Sequence, residues 1–135
     1  MSQLTIDALQ ENLPAVSAFV EEALEAMDCP MRVQMAVSVA VEEIFINIAS
    51  YAYPSGTGSA EIVLMPAEGR SGVMITFTDS GIPYNPLARL DPDTTLSAEE
   101  RQIGGLGIFM VKKSMDGMTY RRDGGRNILT ITKYF

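Results

Sequence analysis

The sequence predicts an α/β two-layer sandwich, with helices packed on one face of a mixed, mainly antiparallel sheet. Two stretches, 13–27 and 31–52, repeat their apolar residues at helical spacing. Two pairs of alternating segments are joined by glycine-rich turns and read as hairpins, which makes the sheet mainly antiparallel. The order of elements, (β)ααββ–loop–αββ, then leaves the helices to cover one face. No linker, repeat or low-complexity tract breaks the 135 residues, so residues 1–135 are expected to form a single domain. A chain of that length buries roughly two-thirds of its unfolded surface.

Residues 3–8 alternate and suit a short edge strand. Asn12 is placed to cap the next helix, with Pro14 in its first turn. Val16, Phe19, Val20, Ala23, Leu24 and Met27 line one side of that helix, and Asp28-Cys29-Pro30 interrupts it. The second helix runs from about 31 to 52 and is closed by Pro54-Ser-Gly-Thr-Gly58. Strands Ala60–Met65 and Val73–Thr78 follow. Residues 84–103 form a polar, proline-bearing loop with a short helical turn after Ser97, and a loop this long is usually functional. Residues 105–115 make the third helix. Strands Met118–Arg122 and Asn127–Tyr134 close the chain around Asp123-Gly124-Gly125.

Composition narrows the chemistry. With 47% hydrophobic and 20% charged residues the chain is ordinary for a globular protein. No uninterrupted apolar run approaches the ~18 residues of a membrane span, and no charged-then-apolar leader opens the sequence, so a cytoplasmic protein without membrane contact is expected. A single cysteine, Cys29, excludes an internal disulfide. The absence of histidine leaves a carboxylate, a lysine or a tyrosine as any general base. A net charge of −7 argues against nucleic acid, and a phosphate-bearing anion would be held by local dipoles and a cation such as Mg²⁺.

Three short segments carry the functional signal. On the second helix, Val37, Val41, Ile44, Ile48 and Ala52 form an apolar stripe that should face the sheet. Beside it run Ala36, Ala40, Glu43, Asn47 and Ser50, which puts Glu43 and Asn47 on one face a turn apart. A carboxylate and an amide oxygen so placed suit a hydrated Mg²⁺, and they equally suit a solvated helix edge. Asp79, at the end of the second hairpin strand, either organises the turn Ser80-Gly-Ile-Pro83 or accepts a hydrogen bond from an exocyclic amine. Gly81 beside it would let a ligand ring approach the backbone. Gly104-Gly105-Leu106-Gly107 opens the third helix and is either a hinge or a phosphate-binding helix N-terminus. There is no Walker loop, and the glycines do not directly follow a strand, so P-loop and Rossmann sites are disfavoured.

Glu43-x-x-x-Asn47, Asp79-x-Gly81 and Gly105-x-Gly107, in this order, resemble the N, G1 and G2 boxes of the GHKL (histidine-kinase-like) ATPase/kinase superfamily. Val37-Ser-Val-Ala-Val-Glu-Glu43, Tyr51-Ala-Tyr53, Asp79-Ser-Gly-Ile-Pro-Tyr-Asn-Pro86 and Gly104-Gly-Leu-Gly-Ile-Phe-Met-Val-Lys-Lys113 are similar to the small bacterial anti-sigma factor serine/threonine kinases. The resemblance implies the Bergerat ATP-binding fold, ATP with Mg²⁺, and residues 87–103 as the ATP lid. It implies Glu43 as catalytic base, Asn47 as Mg²⁺ ligand, Asp79 as adenine reader, and backbone contacts at Gly81 and the 104–107 segment. It also implies a homodimer whose partners are a sigma factor and an anti-anti-sigma protein of the STAS type. Tyr51 stands where the family usually has His, and Arg89 and Arg101 are the only lid cations. A non-kinase ATP-binding switch is the alternative, and a degenerate interaction domain a third reading. Retained Glu43 favours the kinase, because binding alone needs no base. The nine methionines, Met110, Met115 and Met118 among them, suit either core filling or an adaptable partner surface.

Overall fold

The computed structural model describes residues 1–88 and 105–135, with the backbone alone at 105 and 106. Its elements are β1 (Ser2–Asp7), α1 (Leu13–Ala26), α2 (Met31–Tyr51), β2 (Ser59–Pro66), β3 (Gly72–Asp79), α3 (Gly105–Ser114), β4 (Gly117–Asp123) and β5 (Arg126–Tyr134). The strands form one sheet in the order β1-β2-β3-β5-β4, and each of these neighbouring pairs is antiparallel. The α/β two-layer sandwich expected from the sequence is present, with element ends within about two residues of the predicted ones. The expected helical turn after Ser97, Arg89, Arg101, Gly104 and most of the lid lie outside the described residues.

Alternation builds the core. Ala60, Ile62 and Leu64 of β2, Val73, Ile75 and Phe77 of β3, and Leu129 and Ile131 of β5 are buried. Against them pack Val16, Val20 and Leu24 of α1, Val37, Val41, Ile44 and Phe45 of α2, and Ile108 and Val111 of α3. The stripe predicted on the second helix is therefore its buried face. By length and average composition alone, α2 is also long and apolar enough to cross a membrane. Arg32, Gln34, Glu42, Glu43 and Asn47 break every uninterrupted apolar run in it. Those apolar residues are spent on the sheet, and α2 is a core helix.

One local expectation needs correcting. Asn12 stands at the N-terminal boundary of α1, but its side chain makes no cap and its amide instead donates to the Asp7 carbonyl at 3.0 Å. A 3₁₀ turn over Gln10–Asn12 leads into the helix and supplies partners of its own, Asn12 N–H to Leu9 and Leu13 N–H to Gln10. Of the methionines near α3, Met115 is buried as filler, but Met110 is 56% exposed. At the last hairpin Gly124 and Gly125 have φ of 59° and 78°, the two left-handed positions that a two-residue turn between right-twisted strands requires.

Candidate functional site

The C-terminal half of α2, the end of β3 and the start of β5 enclose a small cavity. Ile44, Asn47, Ile48 and Tyr51 line it from the helix, Asp79 and Asn127 from the sheet, with Tyr84, Pro86, Ile108 and Tyr120 at its margins. Its walls are mostly apolar with a few converging polar groups, the pattern of a small-molecule site. The cavity encloses about 40 Å³. The rings of Tyr51 and Tyr84 are stacked at its side, centroids 5.9 Å apart and planes 20° from parallel.

Asp79 organises the turn, the first of the two roles the sequence left open, through one of its oxygens. Its Oδ1 accepts the Gly81 N–H at 2.9 Å, which organises the turn, and the Asn127 amide at 2.9 Å. No described group donates to Oδ2, so this oxygen is the acceptor available to a ligand. Gly81 is buried, and the protein itself gives a reason for glycine there: a Cβ would collide with the Ala52 carbonyl and side chain at the end of α2. The same carbonyl accepts the Ile82 N–H at 2.9 Å, so the turn is pinned directly on the helix. The phenol of Tyr53 also binds the turn, accepting the Ser80 N–H at 2.9 Å and donating to the Ser59 carbonyl at 2.6 Å. Burial, with the nearby Asp79 charge adding to it, pushes its pKa up and keeps that donor proton in place.

Asn47 is buried against the same cavity, and among the described residues its Nδ2 has no hydrogen-bond partner. A buried unpaired donor costs on the order of 1–3 kcal/mol, which points to a ligand acceptor supplied from outside the chain. Among the described residues no cluster of three acidic, His or Cys side chains could hold a metal alone. Mg²⁺ typically keeps several waters and takes its remaining ligands from one or two protein oxygens and substrate phosphates. Asn47, with Glu43 one turn away, fits that sparse donor set.

Glu43 faces a neighbouring groove between α2 and α3, lined also by Ala36, Ala40, Gly107, Met110 and Ser114. Its carboxylate lies against Gly107 in the first turn of α3, so closely that a Cβ on Gly107 would overlap Oε2. A negative group is favoured at that helix end by the exposed N–H groups and dipole. Gly107→Ala is thus expected to preserve or slightly raise thermal stability, since alanine suits a helix and the flexible Glu43 side chain swings aside. If Glu43 acts as a base, its displacement by about 1 Å costs roughly 10²-fold in rate. Parallel melting and turnover assays check this; a large loss of melting temperature would contradict it.

The structure thus brings Asn47 and Asp79 to one cavity and Glu43 and Gly107 to the adjoining groove. Gly105 and Leu106 are placed by their backbone at the start of α3, and Gly104 lies outside the described residues. Sequence reasoning missed Asn127, Tyr120 and Arg122. They reach the site through the pairing of β3 with β5 and β5 with β4, and no local motif marks them.

A five-stranded antiparallel sheet covered on one face by helices carries an acidic strand end and a buried helix amide at one cavity, and a glycine-opened helix turn at the groove beside it, an arrangement suited to a nucleotide. The family model described as histidine kinase-like ATPase domain matches residues 6–133, and the chain belongs to that family. Its fold is accordingly the Bergerat fold, and membership implies ATP binding. The chain is 30% identical over 103 residues to the serine/threonine-protein kinase BtrW of Bordetella bronchiseptica, an alignment covering 76% of this chain and 72% of that protein.

Proposed function

We propose that this chain is a cytoplasmic serine/threonine protein kinase that uses Mg-ATP. Its substrate is a serine on an anti-anti-sigma protein of the STAS type, and in its other state it sequesters a sigma factor, acting as a homodimer. The observation that carries the reading is the seat of Glu43, a carboxylate held at the glycine-opened turn of α3, one helical turn from the buried Asn47. The similarity to a named serine/threonine kinase supports the same reaction.

In this reading Asp79 Oδ2 accepts the exocyclic amine of adenine, and the backbone of residues 104–107 receives the phosphates. Asn47 holds Mg²⁺, which screens the phosphate charge when bound. Glu43 takes the proton of the attacking serine hydroxyl. The serine oxygen forms its bond to the γ-phosphorus as the bond to the β-bridging oxygen breaks, and ADP leaves with that electron pair. Such transfer depends chiefly on positioning and charge neutralisation, which is what this set of groups offers.

The test is transfer of label from γ-labelled ATP to a purified anti-anti-sigma protein encoded by the same cell. The expected result is Mg²⁺-dependent phosphoserine, at most one per partner chain. ATP binding without any transfer would instead favour a nucleotide-controlled switch.

A further inference from the structure

At the cavity-facing end of the sheet Asp79 belongs to a polar row whose other members, Asn127 and Arg122, have no part in the proposed reaction. Register places Asp79 of β3 opposite Asn127 of β5, and Asn127 opposite Arg122 of β4. All three side chains join on the helix side of the sheet. Asn127 is buried, and its amide is fully committed. Its Nδ2 donates to Asp79 Oδ1 at 2.9 Å and to the Ile82 carbonyl at 2.8 Å. Its Oδ1 accepts from the Tyr120 hydroxyl at 2.6 Å, the Arg122 guanidinium at 3.1 Å and the Tyr84 N–H at 3.3 Å. Three donors on one side and two acceptors on the other leave only one workable orientation of the amide. The same Arg122 nitrogen also donates to the Gly81 carbonyl at 2.8 Å, which ties the turn to the row.

The geometry points to Asn127 and Arg122 as positioning residues for base recognition: they hold Asp79 Oδ1 within the protein so that Oδ2 alone faces the purine amine. The inference rests on the reading of the cavity as an adenine site. A free carboxylate turns about its χ2 torsion and presents either oxygen. Here Oδ1 is fixed by two donors, Gly81 N–H and Asn127, so the acceptor direction is set before a ligand arrives. Arg122 acts one step further out. It orients the amide of Asn127 and fixes the Gly81 carbonyl, and it has no part in touching the nucleotide. Tyr120 completes the acceptor side of Asn127 from the adjacent position of the same strand face.

A merely structural role would weaken every nucleotide alike, whereas a positioning role must change the preference for the amine. The decisive measurement is the dissociation constant of ATP and of purine riboside triphosphate, which has hydrogen in place of the exocyclic amine. Native protein, Asn127→Ala and Arg122→Gln are compared, with thermal melts run in parallel. The native protein is expected to prefer ATP by at least about tenfold, the worth of one good hydrogen bond to a charged group. Asn127→Ala is expected to bring that ratio close to one, and Arg122→Gln to reduce it about threefold. Arg122 is exposed at the sheet edge, so its variant keeps the test open if Asn127→Ala unfolds. A preference in the native protein that both folded variants retain overturns the positioning role. No preference in the native protein removes the adenine reading, and the row's role with it.

Discussion

Glu43→Gln is expected to lose phosphoryl transfer by about 10²–10⁴-fold while binding ATP as the native protein does. Glutamine has the shape of glutamate and keeps the contact with Gly107, so the α2–α3 packing survives. What it lacks is a basic oxygen to accept the proton of the attacking hydroxyl. The chain has no histidine to take over that task. Single-turnover transfer to the partner, set beside calorimetric ATP affinity, separates the two effects. A variant that transfers phosphate at the native rate would show that Glu43 is not the base. One that fails to bind ATP would show that its charge is needed for binding.

Asp79→Asn is expected to weaken ATP by about 1.5–3 kcal/mol, the value of a hydrogen bond to a charged group. In dissociation constant that is about 10–150-fold. The direction follows from the two donors on Oδ1. Gly81 N–H and the Asn127 amide require an oxygen there, so the new amide nitrogen must take the place of Oδ2. It would then present a donor to the purine amine, itself a donor. Because the bonds at Oδ1 are kept, the turn and the melting temperature should change little. Calorimetric titration of folded variant and native protein decides it, and an unchanged ATP affinity would remove Asp79 from base recognition.

Much of this architecture was legible because it rests on local pattern. The 3–4 residue apolar spacing of α2 marked both the stripe that meets the sheet and the row that carries Glu43 and Asn47. Asp123-Gly124-Gly125 announced the last hairpin, because both glycines must take positive φ. What remained hidden depends on strands far apart in sequence. Asp79 and Asn127 are 48 residues apart, and only the β3–β5 register makes them partners. Nothing in the Arg121-Arg122 pair marks Arg122, although its guanidinium reaches the Gly81 carbonyl 41 residues away. Gly81 was noted for the right turn but for a different neighbour, since the carbonyl of Ala52 is brought there by the end of α2. Asn12 shows the reverse case: a sound local preference for capping gave way to a 3₁₀ turn, in which the Asn12 amide turns back to the Asp7 carbonyl.

The central claim is that Asp79, Asn47 and the start of α3 form one site for Mg-ATP. Calorimetric titration of the intact chain with ATP and with GTP, each with and without Mg²⁺, tests it most directly. The expected result is binding that strengthens with Mg²⁺ and is selective for ATP, because a guanine places a carbonyl where Asp79 requires a donor. No heat of binding up to millimolar nucleotide, or equal affinity for GTP, would contradict it.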